Sequence, residues 1–361
     1  MQRSEIRQWL QVSDDAALQR LWHQADQTRR RHVGDAVHLR GLIEVSNYCA
    51  RHCHYCGIRA PNTGVRRYRM TADEVVACAA QAHRFGYGTV VLQAGEDPAL
   101  TTDWVTDVIG RITAETPLAI TLSLGERTPA ELAAWRAAGA DRYLLRFETS
   151  NAELFARIHP PMGGRAADRR ALLAELRRLD YEVGSGVMIG IPGQTWDDLA
   201  RDIALFAELD LDMIGVGPFI PHPDTPLGAA PAAAAPEQVP ADELTTYKVI
   251  ALTRLVRPDA NIPSTTALAT LNQVNGRELG LQRGANIVMP NITPPQYRCL
   301  YDIYPNKACL SETAEQCEGC LKGRILAIGR TLGVGRGDAR PRFRGTPAET
   351  AAAMSDVTRD G

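Results

Sequence analysis

The sequence predicts one large α/β domain, a (β/α)8 TIM-type barrel, and three observations support this fold. Eight short apolar runs recur along the 361-residue chain, separated by segments with helical periodicity. The runs are almost continuously apolar, as parallel strands are when helices cover both faces of a sheet. Nearly every run ends in a polar or glycine-rich stretch. A barrel gathers such stretches at the C-terminal ends of all its strands, whereas a doubly wound open sheet concentrates them at one switch point, so their spread favours the barrel.

The strands and helices of this barrel follow one another in a regular order. A lead-in helix that ends in a basic run is expected over residues 14–31. Strands are expected at 38–46, 89–94, 118–124, 142–147, 183–189, 213–219, 260–265 and 285–290. Helices are expected between them, including 72–85, 129–138, 168–180, 196–209 and 240–256. Eight strands that alternate with helices match the (β/α)8 pattern.

The barrel is expected to occupy residues 38–300, with shorter segments on either side. Residues 1–37 are predicted to form a helical lead-in, and residues 301–335 a C-terminal segment that carries a second group of cysteines. Residues 336–361 are rich in Arg, Gly, Pro and Asp and lack a periodic apolar pattern, so we expect a partly disordered tail. The Ala- and Pro-rich stretch at 229–240 is expected to be a loop.

The composition indicates a globular protein of the cytoplasm. Hydrophobic residues make up 45% of the chain and charged residues 23%, which is typical of soluble domains. The formal net charge of -2, without a long basic run, argues against a nucleic-acid partner held by phosphate neutralisation. No apolar stretch reaches the roughly 18 residues that a membrane span needs, and the N-terminus lacks the apolar core of a signal peptide. We therefore expect neither a nucleic-acid nor a membrane partner.

The eight cysteines are unevenly spaced, which predicts metal or cluster ligands. Disulfide scaffolds are usually short, secreted and dense in cysteine, and this chain is none of these. Cys78 and Cys299 stand alone, and Cys78 lies in a predicted helix where a buried small hydrophobe is the simplest expectation. The other six form two tight groups: Cys49, Cys53 and Cys56, and Cys309, Cys317 and Cys320.

The first group lies directly after the first predicted strand, in the run CARHCHYC. Three thiolates on one short loop can hold three irons of a [4Fe–4S] cubane and leave the fourth iron without a protein ligand. An open iron can chelate S-adenosylmethionine (SAM) through its amine and carboxylate, and the reduced cluster can then cleave SAM to a 5′-deoxyadenosyl radical. Zinc is the alternative, but zinc sites usually have four ligands in paired knuckles, and no fourth cysteine lies nearby.

With these residues in view, the chain resembles the radical SAM enzymes over roughly residues 38–330. Within that family it is most similar to the maturase of the [FeFe]-hydrogenase H-cluster, the HydE type. Methylornithine synthase and biotin synthase share the cluster motif and the barrel, so those two features do not separate them. The matching stretches are IEVSNYCARHCHYCGIR, RYRMTADEVV, VVLQAGEDP, ITLSLGE, GADRYLLRFETS, MIGIPGQT, GVGPFIPHPDTPL, IPSTTA and GANIVMPNITP.

The resemblance implies a set of SAM contacts at the strand ends. Tyr55 is expected beside the adenine, with loop packing as the alternative. Glu148 resembles the carboxylate that binds the SAM ribose, unless it forms a surface salt bridge. Arg169 resembles the arginine that pairs with the SAM carboxylate. The alternatives are a solvated helix face for Arg169 and Arg170 as its substitute.

Further residues are implied to line the cofactor and substrate cavity. Gln93, Gly95 and Glu96 resemble the segment that binds the SAM amino group. Thr121 and Ser123 alternate along a strand, so both should point into the barrel. Three more resemble lining residues, although the two methionines also suit a plain barrel core: Met213, Met289 and Tyr301.

The resemblance also implies a substrate site and a second cluster. Arg142, Thr265 and Thr266 resemble an anion-binding site at the top of the barrel, where the arginine would grip a carboxylate. A surface pair between Arg142 and Asp141 is the alternative. The second cysteine group, Cys309, Cys317 and Cys320, can hold another iron–sulfur cluster of the kind that the hydrogenase maturase often carries. A zinc site or a vestigial site is the alternative.

The function implied by the resemblance is radical chemistry on an organometallic iron species. That species bears carbon monoxide, cyanide and cysteine and is made by a partner radical SAM enzyme. The expected partners are this substrate, an electron donor such as flavodoxin or ferredoxin, and the other hydrogenase maturases. Two alternatives are a methylornithine-synthase-like mutase of amino acids and a non-catalytic iron–sulfur carrier or scaffold.

Overall fold

A computed structural model describes residues 1–162, 168–229, 237–308 and 313–339 of the chain. Its centre is a parallel sheet in the order β6-β5-β4-β3-β2-β1-β7, with β8 paired to the start of β1. The strands are β1 (Ala36–Ser46), β2 (Thr89–Ala94), β3 (Ala119–Ser123), β4 (Arg142–Leu144), β5 (Glu182–Ile189), β6 (Met213–Pro218), β7 (Ile287–Val288) and β8 (Thr331–Leu332). No helix in these ranges is long and apolar enough to cross a membrane.

Fourteen helices of the described residues surround and cap this sheet. They are α1 (Arg3–Gln11), α2 (Asp15–Val33), α3 (Ala72–Arg84), α4 (Thr102–Glu115), α5 (Pro129–Ala138), α6 (Ala152–Ile158), α7 (Arg169–Arg178), α8 (Trp196–Glu208), α9 (Pro226–Ala229), α10 (Glu243–Val256), α11 (Thr266–Leu271), α12 (Gly276–Gln282), α13 (Pro295–Arg298) and α14 (Ala314–Ala327). Threonine N-caps with an acid three residues later begin α3, α5 and α8, which satisfies free backbone amides at those helix starts.

The sheet closes into a barrel at a seam between β6 and β7. The segment around 261–264 fills the seventh strand position without forming a regular ladder. Its bridges are isolated, from Asn261 to Met213 and from Pro263 to Ile287, with backbone hydrogen bonds at residues 261, 262 and 264. The strand expected at 260–265 is therefore not a regular one. Pro263 has no N–H to contribute to a ladder, which explains the interruption. The side chain of Asn286 compensates for the missing ladder. Its amide N–H donates to the side-chain oxygen of Asn261, and its amide oxygen accepts from the backbone N–H of residue 262.

The (β/α)8 architecture is confirmed, and most of the expected strands and helices lie within one or two residues of their predicted bounds. The structure adds α1 before the lead-in helix, and it gives the bounds of α4, which lies between two strands where a helix was expected. It also shortens the fourth strand, since β4 ends at Leu144 rather than near residue 147. Cys78 is buried in the core on α3, as expected.

Residues 336–339 form a described start to the segment in which a partly disordered tail is expected. This short segment lies across the N-terminal end of the barrel. The carbonyl of Gly337 accepts hydrogen bonds from Arg40 (3.0 Å) and Asn261 (2.9 Å), and that of Arg336 accepts one from Thr89 (2.8 Å). These ionic and polar contacts join the segment to separate parts of the barrel, which an apolar periodicity cannot reveal. Residues 340–361 lie outside the described residues.

Candidate active site

A cavity of about 330 Å³ opens at the C-terminal ends of the strands. Alternate residues of each strand form its wall, as the two-residue period of a strand requires. From β1 these are Arg40, Leu42 and Glu44, and from β3 Thr121 and Ser123. The site is therefore where a barrel of this architecture carries its chemistry.

The loop with the first cysteine group forms one side of this cavity. Cys56 lines the cavity, Cys53 is buried, and Cys49 is half-buried. Arg51 holds the loop in place through ion pairs with Glu96 (2.7 Å) and Glu126 (2.5 Å). The loop is thus tied to the ends of β2 and β3 by charge as well as by backbone contacts.

The three thiols suit a cluster better than a single ion. Among the described residues no three His, Cys, Asp or Glu side chains lie close enough to hold one metal ion. The thiolates of a cubane bind different irons, so its ligands stand farther apart than those of one ion. Burial raises the pKa of Cys49 and Cys56 and raises the pKa of Cys53 to about 12. A bound cation is what allows such buried thiols to ionise, so the donor set fits an iron–sulfur cluster.

Gly95 and Glu96 support the cysteine loop from β2. A Cβ at Gly95 would lie 2.2 Å from the carbonyl oxygen of Tyr48 and 2.8 Å from the Cβ of Cys49. Only glycine therefore permits this approach. The side chain of Glu96 accepts from Arg51 and from the backbone N–H of Glu126 (2.9 Å), so it holds two loops together. Of this segment, Gln93 is the residue whose side chain lines the cavity.

Glu148 lies in the cavity wall in an unusual backbone conformation. Its φ is 63°, a left-handed value that costs energy in a residue with a side chain. The side chain is buried, and its Oε2 makes no hydrogen bond within the described residues. The guanidinium of Arg146 lies 3.1 Å from this oxygen without the alignment of a hydrogen bond. A buried, charged acceptor that faces a cavity is therefore available to a ligand with hydroxyl groups.

Arg169 lies beside the cysteine loop but does not line the cavity. It is half-buried, and its guanidinium contacts Glu126 (2.9 Å), the carbonyl of Arg146 (2.6 Å) and the ring of His159. The surrounding negative charges raise its pKa on balance, although burial opposes this. Its contact with the SAM carboxylate stays a prediction. To form it, the SAM carboxylate would have to compete with Glu126 for the guanidinium of Arg169.

The structure places the other expected SAM contacts in or next to the cavity. Thr121 and Ser123 both face it, as their alternation predicted, and the hydroxyl of Thr121 has no partner among the described residues. Tyr301 lies behind the wall and its hydroxyl accepts a hydrogen bond from Gln93 (3.3 Å). The remaining wall residues of the expected set are Tyr55, Met213 and Met289. Their contacts with SAM stay predictions.

The expected substrate residues are separated by the structure. Thr265 and Thr266 line the cavity at the start of α11, where the hydroxyl of Thr265 caps the helix. Arg142 does not join them, because it is the first residue of β4 and lies at the opposite, N-terminal end of the barrel. There it is fully buried and binds the carboxylates of Glu182 and Asp338. The assignment of Arg142 to a substrate site at the barrel top is therefore wrong, and so is a surface pair with Asp141.

Several cavity residues were missed by the sequence interpretation. Arg40 is buried in the wall and forms no ion pair with any described residue, and its Nε has no hydrogen-bond partner there. Burial and the charge of Arg142 lower the pKa of Arg40 to about 9. Glu44 and Lys307 form a buried ion pair (2.7 Å) in the same wall. The signal was present, because Arg40 and Glu44 interrupt an apolar strand at positions that face the same side.

The second cysteine group cannot be assembled from the described residues. Cys309 lies outside them, and Cys317 lies in α14 without a described side chain. Cys320 is exposed on the same helix. A second cluster stays a prediction.

Comparisons with known proteins agree with this geometry. A profile of the radical SAM superfamily matches residues 43–206. The [FeFe] hydrogenase maturase subunit HydE of Thermotoga maritima is 44% identical over 331 residues, which cover 92% of this chain and 92% of that protein. The 3-methylornithine synthase of Methanosarcina barkeri is 29% identical and covers 81% of this chain and 79% of its own. The crystal structure of methylornithine synthase (PylB) superimposes with a TM-score of 0.80 at 25% identity, over 92% of this chain and 94% of that one.

Proposed function

This chain belongs to the HydE type of radical SAM enzymes, and from that premise we propose that it matures the cofactor of an [FeFe]-hydrogenase. The family implies a [4Fe–4S] cluster and SAM as cofactors. When bound, these supply a 5′-deoxyadenosyl radical by one-electron cleavage of SAM. The proposed substrate is a small iron species that carries carbon monoxide, cyanide and cysteine, delivered by a partner maturase.

We assign cofactor binding and substrate binding to two depths of the cavity. At the C-terminal end, Cys49, Cys53 and Cys56 would hold the cluster, and the carboxylate of Glu148 would accept hydrogen bonds from the SAM ribose. The enclosing wall keeps water and stray hydrogen donors away from a reactive radical. Deeper in the barrel, the wall offers cationic and hydroxyl groups to the substrate.

The observation that carries the proposed substrate class is Arg40, which donates to the sulfur of Met213 and the carbonyl of Gly337 but forms no ion pair with any described residue. A buried guanidinium without a carboxylate partner is costly, and an anionic ligand would offset that cost. The unpartnered hydroxyl of Thr121 faces the same cavity and can donate to the same ligand. Cyanide and a cysteine carboxylate are both anionic, so the proposed iron species matches these donors.

The test is activation of an [FeFe]-hydrogenase with this chain and its partner maturases under anaerobic, reducing conditions. We expect hydrogen evolution to depend on this chain, and 5′-deoxyadenosine to form from SAM. In Arg40→Met, 5′-deoxyadenosine should still form while hydrogenase activation falls, because the substrate loses its cationic partner. The variant also loses the hydrogen bond to the carbonyl of Gly337, so its unfolding is measured beside the unmodified protein. Unimpaired activation by a folded Arg40→Met would remove Arg40 from the substrate site.

A second candidate is an amino-acid mutase, which the likeness to methylornithine synthase supports. An amino acid also carries the anionic carboxylate that Arg40 would bind. Incubation with candidate amino acids and SAM, followed by mass spectrometry for methylornithine, separates the two reactions. Methylornithine formation without hydrogenase activation would replace the first proposal. Absence of 5′-deoxyadenosine from the reconstituted protein would instead favour a carrier or scaffold.

We also propose a peripheral iron–sulfur cluster on Cys309, Cys317 and Cys320. The exposure of Cys320 supports a role outside the cavity. Replacing all three with alanine should lower the iron content but leave most 5′-deoxyadenosine formation intact. Complete loss of SAM cleavage in a folded triple variant would contradict the peripheral role.

A further inference from the structure

The segment that follows the cysteine loop has a charge unlike the rest of the chain. The chain has 40 basic and 42 acidic residues, so its charges nearly balance. Residues 59–69, here named the arginine loop, contain four arginines and no acid. The acid-free stretch extends back to Cys49 and also includes His52 and His54. A local charge excess of this kind attracts partners of the opposite sign.

Hydrogen bonds fold the arginine loop directly onto the cysteine loop. The backbone N–H of Ala60 donates to the carbonyl of Arg51 (2.8 Å), and the guanidinium of Arg59 donates to the carbonyl of His52 (3.1 Å). Arg67 then braces the loop from inside through four backbone carbonyls. The positive charge is therefore held next to Cys53 by a defined backbone structure.

Most of this charge is not neutralised within the protein. Arg69 is paired with Asp97 through two contacts (2.6 and 3.0 Å). By contrast, Arg59, Arg66 and Arg67 form no ion pair with any residue that the structure describes. Arg66 is exposed, and its guanidinium has no partner in the described ranges. The charges of these three arginines are therefore not compensated by an acid on the outer side of the cysteine loop. Arg59 and Arg67 are bound to backbone carbonyls, so Arg66 is the one of the three whose guanidinium is exposed and unbound within the described ranges.

The two sides of the cysteine loop have different surroundings. Cys56 faces the enclosed cavity, whereas His52, next to Cys53, is exposed to solvent. A protein cannot enter a cavity of about 330 Å³, so an electron from a carrier protein has to arrive from the outer side. The arginine loop is the charged surface that borders this side.

We propose that the arginine loop is the docking surface for a small acidic one-electron carrier protein. The inference rests on the proposed function, because reductive cleavage of SAM consumes one electron per turnover. The carrier loses that electron and the cluster gains it, and no bond forms or breaks at the surface. Complementary charge therefore governs how fast the carrier docks, and Arg66 contributes most directly because it is exposed and unpaired.

The test uses the reconstituted holoenzyme and an acidic flavodoxin as the carrier. Oxidation of reduced flavodoxin is followed by stopped-flow absorbance, and binding of oxidised flavodoxin by calorimetry. At low ionic strength, Arg66→Glu should slow oxidation about tenfold and weaken binding in parallel, with Arg66→Gln between it and the unmodified protein. The differences should shrink at about 0.5 M salt, because the Debye length is then only a few ångströms.

Arg31→Glu is the matched control. Arg31 is also exposed and has no partner among the described residues, but it lies at the end of α2, at the N-terminal end of the barrel. It makes the same charge change far from the cysteine loop and should behave like the unmodified protein. Equal slowing by Arg31→Glu and Arg66→Glu would overturn the docking surface, since net charge alone would then explain the effect.

A chemical reductant separates this inference from the proposed function. With dithionite, all variants should form 5′-deoxyadenosine at the same rate, because no carrier has to dock. A loss in Arg66→Glu with dithionite would place Arg66 in cluster binding and contradict docking. Failure of the unmodified protein with dithionite would refute the proposed function, while flavodoxin calorimetry would still test the surface. Unchanged calorimetry in Arg66→Glu would refute the surface in either case.

Discussion

At the N-terminal end of the barrel the guanidinium of Arg142 is saturated, whereas at the C-terminal end Arg146 and Glu148 are not. Arg142 contacts the hydroxyl of Thr89 (2.9 Å), the carbonyl of Arg336 (3.0 Å) and two carboxylates. Four residues later, the Nε of Arg146 and the Oε2 of Glu148 have no hydrogen bond among the described residues, although the two side chains lie 3.1 Å apart as an ion pair. The same residue types thus stabilise one end and remain available to ligands at the other.

The difference shows what distinguishes a structural charge from a functional one. A buried polar atom without a partner costs free energy, so a protein retains it where a ligand supplies the missing contact. At the N-terminal, saturated end the charge of Arg142 is satisfied within the protein, so a substitution there should lower the stability of the fold. At the C-terminal, unsaturated end a substitution should instead weaken the binding of a ligand. Each of the following predictions tests one side of this contrast.

The largest expected effect is at the cysteine loop. Cys53→Ala should abolish 5′-deoxyadenosine formation, because one iron of the cluster loses its only protein ligand. Cys78→Ala is the control, since Cys78 is equally buried but lies in the core on α3. That variant should keep its iron and its SAM cleavage. Iron analysis and product chromatography decide the matter, and SAM cleavage by Cys53→Ala would refute the cluster assignment.

Arg142→Met should destabilise the fold without weakening SAM binding. Removal of one member of a buried ion pair leaves the other charge uncompensated, which typically costs about 3–5 kcal/mol. Denaturant unfolding should show this loss, and the double variant Arg142→Met/Glu182→Gln should recover part of it. A stable Arg142→Met that loses substrate turnover would return Arg142 to the active site.

Glu148→Gln should show the opposite pattern. It keeps the shape of the side chain but removes the charge from its hydrogen bonds to the SAM ribose, worth about 1.5–3 kcal/mol. SAM affinity by calorimetry should fall roughly tenfold to a hundredfold, while stability changes little. Glu182→Gln, at the saturated end, should lower stability and leave SAM affinity unchanged. Equal SAM binding by Glu148→Gln and the unmodified protein would exclude the ribose contact.

A further prediction is a pH dependence of stability at Asp202, which lies behind the turn that follows Glu148. Asp202 accepts from the backbone N–H of Ser150 (2.5 Å), and burial raises its pKa to about 7. Between about pH 4 and 7 the folded state therefore holds a proton that the unfolded state releases. The free energy of unfolding should fall by up to about 1.4 kcal/mol per pH unit as the pH rises through this window.

Asp202→Asn should remove that slope, and the exposed Asp103→Asn should not. At the saturated end the sign is reversed, because the charges of Arg142 and Arg336 outweigh burial and lower the pKa of Asp338. Its contribution is lost only in more acidic solution, as the pH falls below the range of an ordinary carboxyl group. Unfolding curves at several pH values separate the two ends, and a persistent slope in Asp202→Asn would contradict the assignment.

Sequence periodicity predicted which face of a strand a residue occupies better than how far along the barrel it lies. The alternation of Thr121 and Ser123 correctly placed both in the cavity wall. Arg142 was placed at the wrong end, because the apolar run around it does not show where the ladder begins. The register that pairs Arg142 with Thr121 and Glu182 is set by neighbouring strands. The position of a residue along the barrel axis is thus set by the register of the whole sheet and not by the sequence of one strand.

Contacts between distant parts of the chain were beyond the sequence interpretation for the same reason. Asp338 meets Arg142 across 196 positions, within a segment whose composition resembles a disordered tail. The spacing of Arg40 and Glu44 along β1 indicates that both face the interior of the barrel. It does not reveal that Glu44 forms an ion pair and Arg40 forms none with the described residues. Whether a buried charge has a partner depends on residues that only the folded chain brings near.

The seam at residues 261–264 has a consequence for how the barrel opens. Neighbouring strands such as β1 and β2 share six paired positions, whereas the seam has two isolated bridges, the backbone hydrogen bonds around them and the side-chain amide of Asn286. Backbone amides with so few neighbours in their ladder exchange hydrogen through local openings that cost less than global unfolding. Native-state exchange should therefore be fastest at the seam, next to Pro263, Thr265 and Thr266 of the cavity wall. The cavity wall would then open locally on the side where the substrate is expected to bind.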